Sequence, residues 1–237
     1  MKERIYTIPV TDVFLVDCEC PLCLLKERFE KETVDYYLGP SLMEPDHRLE
    51  TNEKGFCKSH YEMLYSRQEN TLGLALIIET HLESLRKELY QRFNAVSSER
   101  AAAAANAKLT EVIKSQVESC AICDKLDYTM NRYIDVIFYL WRTEPDFQDL
   151  FNSKKGFCLP HLAVLTAGAD KYLKSKDSGV FLETLFKMQK DSLNDLQEDI
   201  NWFTKKFDYR NRDASWKNSK DAVPRSIRKL IGLFKER

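Results

Sequence analysis

Two copies of one cysteine–histidine pattern constrain this chain more than any other feature. Cys20-Pro21-Leu22-Cys23 is followed by Gly55-Phe56-Cys57-Lys58-Ser59-His60. Later, Cys120-Ala121-Ile122-Cys123 is followed by Gly156-Phe157-Cys158-Leu159-Pro160-His161. The CxxC pairs stand 100 positions apart and the GFCxxH blocks 101 apart. Between them Glu44-Pro45-Asp46 returns as Glu144-Pro145-Asp146. Three ordered matches at a nearly constant offset mark a duplication.

Structural zinc takes four tetrahedral ligands from thiolate and imidazole, often as two short chelating pairs. Each half offers one such set: Cys20, Cys23, Cys57 and His60, then Cys120, Cys123, Cys158 and His161. The expectation is therefore one site per half and two zinc ions per chain, with an iron–sulfur centre as the less favoured alternative. Both kinds of pair fall where helices should start, and a helix N-terminus favours thiolate over thiol. The glycine ahead of each Phe-Cys permits a tight backbone approach. Cys18, the seventh cysteine, aligns with Glu118 and reads as lying outside the ligand set. His81 reads as a core or boundary histidine, and His47 has no cysteine near it in sequence.

The fold class expected is all-α, with two helical repeats related by a pseudo-twofold axis and no substantial sheet. Gly and Pro number only 7 each, which is sparse punctuation for a protein of many short strands. Apolar spacing predicts helices over 24–38 and 126–141, after the GFCxxH blocks over 57–65 and 158–173, and over 71–93 and 180–207. The halves are placed at 1–96 and 107–208, with a C-terminal segment at 209–237, all in one body. The linker 97–106 contains the run Ala101 to Ala105, a strong helix former. The EPD elements read as helix starts, with proline in the first turn and acids at the positive end.

Features present in only one half are the better candidates for function. Ser41, Arg48, Glu50 and Asn52 fall in segments without a close counterpart and read as a ligand-binding loop or a solvated one. At the C-terminus Val223, Ile227, Leu230, Ile231 and Phe234 share one helical face, and Arg225, Arg228 and Lys229 lie on the rest. That basic amphipathic helix could meet an acidic partner, nucleic acid or a membrane surface, or pack on its own acidic body. A net charge of -1 does not favour nucleic-acid binding by the whole surface. No phosphate loop, GxSxG or HExxH occurs, and four protein ligands leave a metal site closed, so no catalytic residue is assigned. No run is long enough to span a bilayer, and the N-terminus carries no apolar signal segment. The reading is a zinc-stabilised, non-catalytic binding or regulatory protein of the cytoplasm, its partner a protein or small molecule. A thiol-based redox or metal sensor is the alternative, and nucleic-acid binding through the C-terminal helix a third.

Several segments carry a family resemblance: Asp17-Cys18-Glu19-Cys20-Pro21-Leu22-Cys23, Leu38-Gly39-Pro40-Ser41, Met43-Glu44-Pro45-Asp46, Gly55-Phe56-Cys57 and Lys206-Phe207-Asp208-Tyr209-Arg210-Asn211. The chain resembles an uncharacterised family of bacterial proteins of about this length, common in anaerobic Firmicutes. The resemblance covers nearly the whole chain and implies a bacterial cytoplasmic origin. It implies no activity.

Overall fold

A computed structural model describes residues 4–95 and 102–234. Eleven α-helices account for most of them, and there is no strand among the described residues. In chain order they are α1 (Thr7–Leu15), α2 (Pro21–Leu38), α3 (Pro45–Lys54), α4 (Lys58–Arg67), α5 (Thr71–Ala95) and α6 (Ala102–Glu118). Then come α7 (Ala121–Thr143), α8 (Pro145–Asn152), α9 (Leu159–Tyr172), α10 (Ser175–Lys205) and α11 (Ala222–Ile231). The all-α expectation holds. Of the linker, 102–106 is helical and 97–101 lies outside the described residues.

The compact units do not follow the two halves of the duplication. One is continuous, Phe29–Tyr128, and the other joins Met1–Arg28 to Thr129–Arg237. Both divisions fall inside helices, α2 and α7. The boundaries expected from the repeats, 1–96, 107–208 and 209–237, therefore do not delimit compact bodies, and the C-terminal segment belongs to the discontinuous unit.

In the continuous unit α3 and α4 pack on α5, and α5 on α6. Its core gathers Val34, Tyr37 and Leu38 of α2, Leu64 of α4, Leu74 and Ile77 of α5, and Ile122 and Leu126 of α7. The three- and four-residue steps within each helix make these single faces. In the discontinuous unit α1 lies against α8, and α10 packs on α8, α9 and α11. Its centre is aromatic: Phe14 meets Phe147, Phe151 and Phe157, and Phe181 meets Phe138, Trp141 and Phe151.

The EPD helix starts fall where the sequence puts them, whereas α2, α7 and α10 begin three to five residues earlier than their apolar spacing predicts. Pro45 and Pro145 open α3 and α8, with Asp46 and Asp146 in the first turns. The glycine of each GFC block has positive φ, +59° at Gly55 and +85° at Gly156. A polar side chain from a long helix closes on each. A Cβ on Gly55 would stand 2.6 Å from His81 Nε2, and one on Gly156 would stand 2.7 Å from Gln189 Oε1. Gln189 Oε1 accepts the Phe157 N–H at 2.9 Å, and His81 Nδ1 lies 2.9 Å from the Asn52 carbonyl. The Gly55→Ala variant is expected to lose about 1–3 kcal/mol of stability from backbone strain alone. Gly179 lies inside α10 with open space around it, and Gly179→Ala is expected to gain about 0.5–1 kcal/mol. Chemical denaturation of the two variants beside the parent protein checks both signs.

Candidate metal centres

Cys20, Cys57, Cys120 and Cys158 each immediately precede a helix, α2, α4, α7 and α9 respectively. Each backbone carbonyl accepts the first intrahelical hydrogen bond, from Leu24, Tyr61, Asp124 and Leu162. The second ligand of every pair, Cys23, His60, Cys123 or His161, then sits three residues on, over the same end. CxxC and CxxH are thus one local device, a helix N-terminus carrying two metal ligands. The positive end of each helix faces its own thiols, which stabilises the ionised form.

The four devices meet in pairs, and each pair takes one member from each half of the sequence. Cys20 and Cys23 gather with Cys158 and His161, and Cys57 and His60 with Cys120 and Cys123. All eight residues named from the sequence lie in these two groups, each of which could hold a metal ion, but the grouping by halves is not the one that forms. We call the first group site 1 and the second site 2. Site 1 lies in the discontinuous unit and site 2 in the continuous one.

The distances fit a single tetrahedral ion. With zinc bonds of about 2.3 Å to sulfur and about 2.0–2.1 Å to nitrogen, sulfurs stand about 3.8 Å apart and sulfur and nitrogen about 3.5 Å apart. At site 1, Cys158 Sγ lies 3.8 Å from Cys20 Sγ and 3.5 Å from Cys23 Sγ. His161 Nδ1 lies 3.5, 3.4 and 3.1 Å from Cys20, Cys23 and Cys158. At site 2, Cys57 and Cys123 are 3.8 Å apart, and His60 Nδ1 lies 3.2, 3.2 and 3.4 Å from Cys57, Cys120 and Cys123. His60 turns Nδ1 to the sulfurs, and its Nε2–H donates to Glu30 Oε1 at 3.1 Å. A carboxylate behind a ligating imidazole fixes the ring and raises its basicity.

Charge explains why such a group calls for a cation. Burial pushes the Cys20 thiol up to about 12, with Cys158 adding to the effect. Hydrogen bonds with Cys158 and Cys20 hold Cys23 far above the ordinary thiol range. The same contacts, joined by His161, hold Cys158 well below it. At site 2 burial acts to raise the Cys120 thiol, but the His60 ring and backbone N–H groups outweigh it and hold it at about 6. Burial acts against charge on His60 as well, yet Cys120 and Glu30 lift it to about 10. Burial and Cys120 keep Cys123 protonated. Three thiolates within 4 Å repel one another, and a central divalent cation reverses that balance.

The other candidates take structural places. Cys18 is half-buried outside both groups, where burial pushes its thiol up. Arg48, Glu50 and Asn52 are not in a loop but on α3. Arg48 donates to the Leu76 carbonyl and to Thr80 on α5. Glu50 accepts from Tyr37 and Lys54 and lies 3.6 Å from His47. The Asn52 carbonyl meets His81, and Ser41 is buried in the 3₁₀ turn Pro40–Met43. Arg48, Glu50 and the Asn52 carbonyl thus tie α3 to α5 and α2.

The C-terminal helix turns two of its cations onto acids of its own chain, in line with the expectation that it could pack on its own acidic body, and leaves apolar residues outside. Lys229 is 1% exposed, and Leu230 and Ile231 are 57% and 61% exposed. Arg225 pairs with Asp199, Asp221 and Glu19. Of the proposed basic face, Arg225 and Lys229 are thus turned inward, and Arg228 is the exposed member. The apolar stripe faces out because the buried Lys229 and the half-buried Arg225 satisfy carbonyls and acids beneath α11. Glu30 is the site residue that sequence reading missed. No spacing signal marks it, since its role depends on where α4 places His60.

A family model described as "Family of unknown function (DUF6062)" matches residues 1–237. The chain belongs to this family. Among curated proteins and solved structures nothing matches it. The family adds no activity to the reading of the two centres.

The pairing is open to a direct count. Cys20→Ser and Cys158→Ser, alone or together, should each leave one bound ion per chain, and Cys20→Ser with Cys57→Ser should leave none. Elemental analysis gives the count, and a double variant of Cys20 and Cys158 that retains no ion would refute the crossed pairing. The proton balance is a second check. Burial and neighbouring thiols favour protons on Cys20, Cys23 and Cys123, and Cys120 and Glu30 favour one on His60, so loading the sites at pH 7 should release protons. Affinity should fall as pH drops. Calorimetry in buffers of different ionisation enthalpy measures the release.

Proposed function

We propose that this is a zinc-stabilised helical protein whose role is binding or regulation rather than catalysis. One observation carries the reading: each tetrahedral set already contains four protein ligands. Three thiolates and an imidazole suit zinc among the divalent ions. A catalytic zinc keeps a position free for water or substrate, and a closed set offers none. Short sulfur–sulfur distances fit one ion better than a multi-iron cluster. The seven cysteines are free thiols, as suits a reducing compartment such as the cytoplasm. No helix among the described residues is long and apolar enough to cross a membrane. A basic interaction face at the C-terminus has less support, because two of its three cations are committed internally.

A second reading, a thiol-based redox or metal sensor, is favoured by one contrast. Cys20, Cys23 and Cys158 at site 1 are buried, whereas Cys57 and Cys123 at site 2 are half-buried. Accessible thiolates are the ones that oxidise first. Two tests separate the readings. Elemental analysis of protein purified anaerobically should find two zinc per chain and no visible absorption band. Mild peroxide should then leave zinc content and helicity unchanged if zinc is only a scaffold. Release of one zinc, blocked in Cys57→Ser, would move the protein to the sensor class. Iron with a visible band, or no metal at all, would sink the zinc reading.

A further inference from the structure

The two centres differ in how their ligand-bearing segments are joined, and the difference points to α11. At site 2 the tie is direct. Ser119 Oγ donates to the Lys54 carbonyl at 2.6 Å, and the Ala121 N–H donates to the Gly55 carbonyl at 3.1 Å. The duplication aligns Ser119 and Ala121 with Glu19 and Pro21, and Lys54 with Lys155. Neither donor survives at site 1. Glu19 has no hydroxyl, and Pro21 has no N–H.

A lysine from the far end of the chain fills the gap. Lys229 Nζ donates to the Lys155 carbonyl at 3.0 Å and to the Glu19 carbonyl at 3.3 Å. Glu19 Oε2 stands 3.5 Å from the same ammonium. Those carbonyls lie one residue before Cys20 and three before Cys158, so one buried cation clasps both ligand segments. One turn earlier Arg225 binds Asp199 at 2.6 Å and Asp221 at 3.0 Å, with Glu19 at 3.6 Å. One residue past α11, Gly232 turns with φ +86°, and a Cβ there would lie 3.7 Å from both Cys23 Sγ and Cys158 Sγ. The chain thus crosses directly over two ligand sulfurs.

We propose that α11 and Gly232 form a latch over site 1 that controls how readily its metal leaves. This rests on the reading of site 1 as a metal centre. Opening the latch uncovers Cys23 and Cys158 and removes the clasp between their segments. By linkage the effect is reciprocal: loss of the ion weakens the docking of α11. Site 2, with its direct backbone tie, does not depend on α11. One chain then holds a gated ion and an ungated one.

The test uses full-length, zinc-loaded protein mixed with excess 4-(2-pyridylazo)resorcinol, following the coloured zinc complex with time. The parent should release two ions in two phases. Cys57→Ser, which empties site 2, identifies the phase that belongs to site 1. In Lys229→Met the site 1 phase should quicken roughly 10- to 100-fold, the usual effect of losing a partner behind the ligands, and the site 2 phase should not change. Arg225→Gln should move the same phase in the same direction by less. Unchanged site 1 release in both variants, with circular dichroism like the parent's, overturns the latch while leaving the metal reading intact. If Lys229→Met does not fold, Arg225→Gln decides alone. A parent protein without bound metal overturns both, and elemental analysis before mixing shows which has failed.

Discussion

The structure depends on four helix N-termini that meet in two pairs. Each brings a cysteine just ahead of its first turn and a second ligand three residues later, so a pair supplies a complete tetrahedron. Nothing else in the sequence joins these segments so specifically. Two positive helix ends and three thiols do not gather on their own account. The helix ends repel each other, and the thiols cannot all ionise together. A central divalent cation would attract the three thiolates strongly enough to outweigh both costs, and the helix ends favour that thiolate form. Metal affinity and folding then become one quantity.

The crossed pairing gives the two units different dependence on the length of the chain. The ligands of the continuous unit are complete once residue 123 exists. The discontinuous unit needs partners 138 residues apart, Cys20 and Cys158, and then α11 as well. Its aromatic centre has the same requirement, because Phe14 of α1 packs on Phe147, Phe151 and Phe157. Synthesis from the N-terminus therefore supplies the continuous unit first and leaves Met1–Arg28 without its core until α8 and α9 follow. Site 1 and the aromatic cluster close the same long loop, and each supports the other.

The members of the two Cys/His groups were legible in the sequence and their partition was not. Spacing identifies each chelating pair, because three residues across a helix start place two side chains over one point. It says nothing about which CxxH meets which CxxC. Chain entropy does not decide either. Closing 138 residues instead of about three dozen costs only about 1.2 kcal/mol more, which packing easily outweighs. The stretch from Arg48 to Asn52 reads as a loop because α3 has little apolar periodicity. It is held on α5 by polar bonds from Arg48 and by the contact of His81 with the Asn52 carbonyl. Periodicity fails again at α11, where the buried residues are an alanine and a lysine, Ala222 and Lys229. The rule that apolar faces turn inward assumes that nothing inside needs a cation. Here the carbonyls of Glu19 and Lys155 do.

Duplication makes these exceptions informative. Positions that match in both halves, the chelating pairs, the GFC glycines and the EPD helix starts, do the same job twice. Positions that differ have been released from that shared job. Ser119 and Glu19 are such a pair, and so are Ala121 and Pro21. At site 2 the local chain joins its own ligand segments. At site 1 the local donors are missing, and a helix some two hundred residues away in sequence supplies the replacement. A purely structural centre gains nothing from this exchange, because a serine and an amide hold the segments at less cost than a buried ammonium. A centre whose closure must answer to another element gains a handle, since α11 can be moved without disturbing either chelating pair.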